Sequence, residues 1–271
     1  MIAGGGGSIL TNYVTDKVNV KVSNRVAVVE LNSPKNLNAL DMGMLKGLVS
    51  KLKEISESDD IDIVVLNGNG RAFSAGGDIK WLSSPIAENE FISFMDCINE
   101  VIITLYGMSK LTITTVSGAA AGLGLSLALA TDYIIADKDS KLAMNFIGIG
   151  LIPDGGGHFF LEKKIGETRA KQLIWEGKQY SAEEALQIGF IQEVAEAGLQ
   201  AALDARIEDW LHRPIQAMIR SKKILAEKNR PQLLKVLELE KYGQLKMRET
   251  FDHKEGIQAF LEKRPPRFIG K

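Results

Sequence analysis

The stretch "LTITTVSGAAAGLGLSLALATDYIIAD", Leu111–Asp137, passes from one pattern to another and back. Thr112, Ile113, Thr114, Thr115 and Val116 are β-branched and suit a strand. Gly118 follows, and "AAAGLGLSLALATD" then switches to helix-friendly residues. "YIIAD" returns to strand. A strand, a glycine turn, a helix and a second strand in so short a length is a crossover between parallel strands, and it places the chain in the α/β class.

The rest of the chain extends this alternation. Val18, Val20 and Val22 alternate with polar residues, as do Val26 and Val28, and "SNR" separates the two runs, so a hairpin is expected. "NALDMGMLKGLVSKLKEI" has helical spacing through Leu40, Met44, Leu48, Leu52 and Ile55. "IDIVVLNG" reads as a short buried strand. "EFISFMDCINEVIITLYG" aligns Phe91, Phe94, Met95, Ile98, Val101, Ile102 and Leu105 on one helical stripe. Ser181 and Glu184 form a capping box, with Gly189 at the helix stop. From about Ile207 the pattern becomes helical only. The expected organisation is therefore a leader over 1–17, an α/β core over 18–206 and a helical region over 207–271.

Composition narrows the function. The chain has 271 residues, 45% hydrophobic and 25% charged, with 33 basic and 34 acidic residues giving a net charge of −1. Such a balance argues against nucleic acid as a partner. No apolar run is long enough to span a bilayer, so no membrane role is expected. Cys97 is the one cysteine, which fits a reducing, cytoplasmic setting. The start, "MIAGGGGSIL", lacks the basic region and apolar core of a signal peptide.

Metal chemistry fits poorly, because His158, His212 and His253 lie far apart with no second ligand at zinc spacing. No Gly-x-Ser-x-Gly elbow is present. "GAAAGLG" lacks the full spacing of a dinucleotide fingerprint. Two glycine turns are more informative: "GNGRAFSAGGDIKWL" and "SGAAAGLGLSLALATD" each follow a strand, and the second opens a helix. Backbone N–H groups converging there would suit a developing oxyanion. For either turn alone, close packing is the favoured reading. "LIPDGGGHFF", Leu151–Phe160, holds one carboxylate, Asp154, between a proline and three glycines. By its residues alone it is an Asx-type turn.

"SPKNLNAL", "GRAFSAGGDIKWL", "SGAAAGLGLSLALATDYIIAD", "IGLIPDGGGHFFL" and "QAFLEKRPPRF" stand in the order seen in crotonases, the enoyl-CoA hydratase/isomerase superfamily, and the resemblance runs from about Val18 to Phe268. It implies a spiral of ββα turns with a C-terminal helical trimerisation region, and a homotrimer or homohexamer. It implies an acyl-CoA substrate, with coenzyme A entering as part of that substrate and no other cofactor. The two oxyanion donors would be the N–H groups of Gly77 and Leu123, the latter standing where the family usually has glycine. Family hydratases carry two glutamates; the matching positions here are Ser126 and Phe146, neither of which is a base. Some superfamily isomerases use a single aspartate at the turn occupied here by Asp154. The resemblance thus favours Asp154 as the acid–base group of an isomerase, with hydratase or decarboxylase chemistry, or a non-catalytic acyl-CoA-binding scaffold, as alternatives. Lys35 and Lys263 resemble the family's phosphate and adenine contacts and Phe260 its adenine-side wall. Ala75, Trp81 and Phe146 would border the acyl group, and Asp78 would fix its own turn.

Overall fold

The computed structural model describes residues 15–271. The leader expected over 1–17 lies, as far as residue 14, outside the described residues. In chain order the elements are β1 (Val18–Ser23), β2 (Val26–Leu31), α1 (Met42–Glu57), β3 (Ile63–Gly68), α2 (Ile79–Leu82), α3 (Glu88–Gly107), β4 (Leu111–Val116), β5 (Ala119–Ala121), α4 (Leu123–Leu129) and β6 (Tyr133–Asp137). There follow β7 (Lys141–Ala143), α5 (Gly157–Ile165), α6 (Glu167–Glu176), β8 (Gln179–Ser181), α7 (Ala182–Ile188), β9 (Glu193–Ala195), α8 (Leu199–Leu211), α9 (Ile215–Arg248) and α10 (Phe251–Leu261). Single 3-10 turns sit at Pro34–Asn36 and Asn145–Ile149.

The larger sheet runs β1-β2-β3-β4-β6-β9, antiparallel only between β1 and β2. Asn24 and Arg25, both at positive φ, turn the hairpin. β4 is buried on both faces, so its threonines are inside as well as its apolar residues, whereas β1 at the edge is largely exposed. Val64 and Leu66 of β3 pack with α1, α3, α4 and α5 on one side, while Ile63 and Val65 pack with Trp210, Ile215 and Ile219 on the other. The stripes of α1 and α3 are buried as their spacing predicts. Asp41 caps α1, accepting from the Met44 N–H at 2.9 Å, and the Ser181–Glu184 capping box is present at α7. Among the described residues no helix is long and apolar enough to cross a membrane.

In two places the structure departs from the pattern of the sequence. Ala119–Ala121 are not helical but form β5, paired with β7 and bridged to Ser74; α4 begins only at Leu123. Pairing partners outweigh the helix preference of three alanines, which is a few tenths of a kcal/mol per residue. The division expected at 206/207 falls inside α8, which packs against β6 and β9, while α9 lies across α3 and α5. The helical region is thus continuous with the core packing.

Candidate active site

The site is built where two backbones run side by side. Phe73 N–H donates to Ser117 O (2.8 Å), Ser74 N–H to Ala119 O (3.0 Å) and Ala121 N–H to Ser74 O (3.0 Å), so the first glycine turn is laid along β5 and reaches the start of α4. Gly76 is at φ +92°, and a Cβ there would lie 2.6 Å from Ala121 O and 3.4 Å from Leu123 N. No other residue allows that approach. The same loop is pinned from its other side: Leu40 N–H donates to Gly76 O (2.8 Å) and Asp78 N–H to Leu40 O (3.4 Å). This alternation skips Gly77, and Leu123 is the first residue of α4. Among the described residues neither the Gly77 nor the Leu123 N–H has a protein acceptor. Asp78 accepts from Lys80 N–H and Trp81 N–H and so caps α2.

Gly77 and Leu123 line a cavity of about 250 Å³ together with Ala75, Phe146 and Asp154. Ile79, Leu82, Phe91 and Phe94 form its apolar wall, and Phe260, 56% exposed, stands among its lining residues. Trp81 is not among its lining residues; its ring packs tilted against the lining residue Phe94, with centroids 4.3 Å apart. Lys35 and Lys263 are exposed and outside the lining. Ser126, at one of the positions matching a family glutamate, is fully buried, and its hydroxyl faces the Met144 sulfur at 3.8 Å.

Asp154 sits at the bend before α5, in a chain that Gly155 (φ +61°) turns toward α4. A Cβ on Gly155 would meet the Leu123 side chain at 2.7 Å. Asp154 is 7% exposed. Its Oδ1 has no partner among the described residues, and Oδ2 accepts only a long bond, 3.4 Å, from Gln244 Nε2. Burial first, and the Glu240 carboxylate second, hold its carboxyl well above the usual carboxylate range. Gln244 also donates to Ile152 O at 2.5 Å. Glu240, 2% exposed, accepts from Gly156 N–H (2.7 Å), His158 N–H (3.1 Å) and His158 Nδ1 (2.7 Å). Thus His158 packs against a carboxylate and does not bind substrate space. Phe159 packs edge-on to Tyr106 and Phe160.

Glu240 and Gln244 were not marked by motif or spacing in the sequence. A signal exists: Leu233, Leu237, Glu240 and Gln244 all lie on the buried face of α9, so two polar residues continue an apolar stripe. Buried polar side chains at stripe positions require partners, and here the partners are the Asp154 turn.

The raised proton affinity of Asp154 has a stability consequence. Between the ordinary carboxylate range and the raised value, the folded chain keeps a proton that the unfolded chain has lost. Stability therefore falls as pH rises through this window, by about 1.4 kcal/mol per pH unit at most. Asp154→Asn is expected to melt above the wild type at pH 7 to 8, the gap closing below about pH 4. Parallel melting curves across that range would contradict it.

A profile of the enoyl-CoA hydratase/isomerase family matches residues 21–271, and the chain belongs to that family. YhaR of Bacillus subtilis (strain 168), a protein of the enoyl-CoA hydratase/isomerase type, is 47% identical over 243 residues, covering 90% of this chain and 95% of YhaR. The trans-2-decenoyl-[acyl-carrier-protein] isomerase of Streptococcus mutans is 30% identical over 254 residues, covering 92% and 97%. The crystal structure of an enoyl-CoA hydratase from Mycobacterium avium subsp. paratuberculosis superposes with a TM-score of 0.86 at 27% identity, over 94% of this chain and 100% of that one. The crotonase fold expected from the motif order is the fold observed.

Proposed function

We propose that the protein moves the double bond of an enoyl-CoA, with Asp154 as the single acid–base group and the N–H groups of Gly77 and Leu123 holding the enolate oxygen. The observation that carries this is the composition of the cavity: Asp154 is the one carboxylate among its lining residues, buried and half unbonded, and it shares the lining with Gly77 and Leu123, whose N–H groups have no protein acceptor among the described residues. A carboxyl of raised proton affinity takes a proton from one carbon and returns it two bonds further along, so it is regenerated in each turnover. The negative charge that appears meanwhile on the thioester oxygen meets fixed donors, which stabilise it more than the neutral ground state. Hydration would need a second group to activate water, and Ser126 and Phe146 offer none. Two isomerases stand among the relatives, at 30% and 33% identity, beside hydratases at 30% to 33%, so the choice rests on the cavity and not on the relatives.

Coenzyme A arrives as part of the substrate, and the chemistry draws on no metal or redox group. The carrier would leave the cavity past Phe260, with Lys35 and Lys263 outside to meet its charged end. The test compares conversion of 3-enoyl-CoA to 2-enoyl-CoA with hydration of crotonyl-CoA, followed by absorbance of the conjugated thioester and mass spectrometry. Faster isomerisation is expected; efficient hydration that survives Asp154→Asn would overturn the proposal.

A trimer, or a dimer of trimers, belongs to the same proposal. Ile224, Leu225, Leu239, Tyr242, Phe251 and Ile269 are each more than half exposed on α9, α10 and the tail beyond. A single chain leaves that apolar surface in water. Light scattering is expected to give three or six times the 29.7 kDa chain mass, and a stable monomer would refute it.

A further inference from the structure

We propose that Glu240, far from Asp154 in sequence and outside the cavity lining, is a positioning residue that fixes the Asp154 turn and sets how tightly Asp154 holds its proton. Its significance for turnover rests on the assignment of Asp154 as acid–base group. The geometry has two parts. Both Glu240 oxygens are committed to the segment just after Asp154, through Gly156 N–H, His158 N–H and His158 Nδ1. Those N–H groups open α5, whose positive end would otherwise face Asp154's side of the turn; the Glu240 carboxylate occupies it instead. Glu240 thus orders the turn without bonding to the carboxyl it orders, and Asp154 Oδ1 stays free.

The charges around Asp154 leave Glu240 as the dominant one. From α3 and α4 the nearest groups to the turn are Ile98, Leu123 and Ser126, all uncharged. Asn145 and Phe146 come from the 3-10 turn. On α5, His158 is bonded to Glu240 itself. Elsewhere on α9, Lys241 is paired with Asp96 and Arg248 lies over the Phe91 ring; on α10, His253 is bonded to Ile149 O. Among the described residues the charged group acting on Asp154 is the buried Glu240 carboxylate, which makes a second negative charge there less favourable and so strengthens the base.

Glu240→Gln keeps the size and one acceptor but removes the charge. Carbon-13 NMR of aspartate carboxyls in the full-length protein, with the Asp154 resonance assigned by its absence in Asp154→Asn, reads the proton affinity directly. The Asp154 midpoint is expected to move to lower pH in Glu240→Gln, and the acid limb of kcat/KM to move with it. Glu240→Ala, which also removes the acceptors, is expected to lose thermal stability in addition; should it fail to fold, Glu240→Gln still decides. A midpoint that stays in place or rises in Glu240→Gln overturns the proposal. A midpoint that falls in a protein whose turnover is indifferent to Asp154→Asn leaves Glu240's role standing and removes the catalytic assignment.

Discussion

Asp154→Asn is expected to slow the conversion of 3-enoyl-CoA to 2-enoyl-CoA by about 10²- to 10⁴-fold, the range for losing a general acid–base group. The substitution is nearly isosteric. It leaves an oxygen for the weak contact from Gln244 and leaves the Gly156 and His158 bonds to Glu240 untouched. What disappears is the ability to take and return a proton. No neighbour replaces it, since Asp154 is the single carboxylate of the cavity lining. KM should change little, because the carboxyl does not hold the carrier, so the loss should appear in kcat. The higher melting temperature expected of this variant at neutral pH separates lost chemistry from lost folding. A loss below about tenfold would assign the proton transfer to another group.

Gly77→Pro is the second large effect, about 10²- to 10³-fold in kcat, corresponding to about 3 to 4 kcal/mol of transition-state stabilisation. Proline removes that N–H, which has no protein acceptor among the described residues, and its ring also fixes φ at about −65°, so any strain adds to the loss. Gly77 lies outside the left-handed region, so the position does not demand glycine for its φ. Gly77→Ala is the control. Its Cβ would meet only Leu82 Cδ1, at 3.5 Å, an ordinary contact, and its N–H is kept. It should stay within a few-fold of wild type. Equal losses in the two variants would show that the Gly77 N–H does not face the reacting oxygen.

The elements most legible in the sequence were those whose residues repeat with a period. The seven apolar residues of the α3 stripe are the seven buried in that helix, and the β1–β2 hairpin follows its alternation. The glycine turns announced close approach, and Gly76 beside Ala121 and Leu123 shows what the approach is for. The alternation of strands and helices carried the α/β class, and the resemblance of five ordered motifs to crotonases carried the particular fold. The single aspartate was visible too, but only its surroundings distinguish a turn from a base, and burial is a property of the assembled chain. Ala119–Ala121 were illegible as a strand because alanine has no side chain to announce a pairing that β7 and Ser74 impose. Glu240 and Gln244 were missed for a related reason: their partners are 82 to 92 residues away, beyond any local spacing. Trp81 illustrates the converse. The resemblance suggested it as a pocket wall, whereas its ring packs tilted on the lining residue Phe94 and is not itself in the lining.

The clamp of Glu240 on the Asp154 turn gives the molecule a chronology. Gly156 and Glu240 are separated by 84 residues. At a synthesis rate of about 5 to 20 residues per second, about 4 to 17 s pass between the making of the turn and the making of its partner. During that time Gly156 and His158 have no carboxylate to bind, and nothing fixes the carboxyl toward the glycine loops. The parts that would receive the enolate, Gly77 and Leu123, are made earlier still. Under the proposed assignment, both donors of the hole are therefore synthesised before Glu240, and the residue that orders the Asp154 turn arrives only with α9.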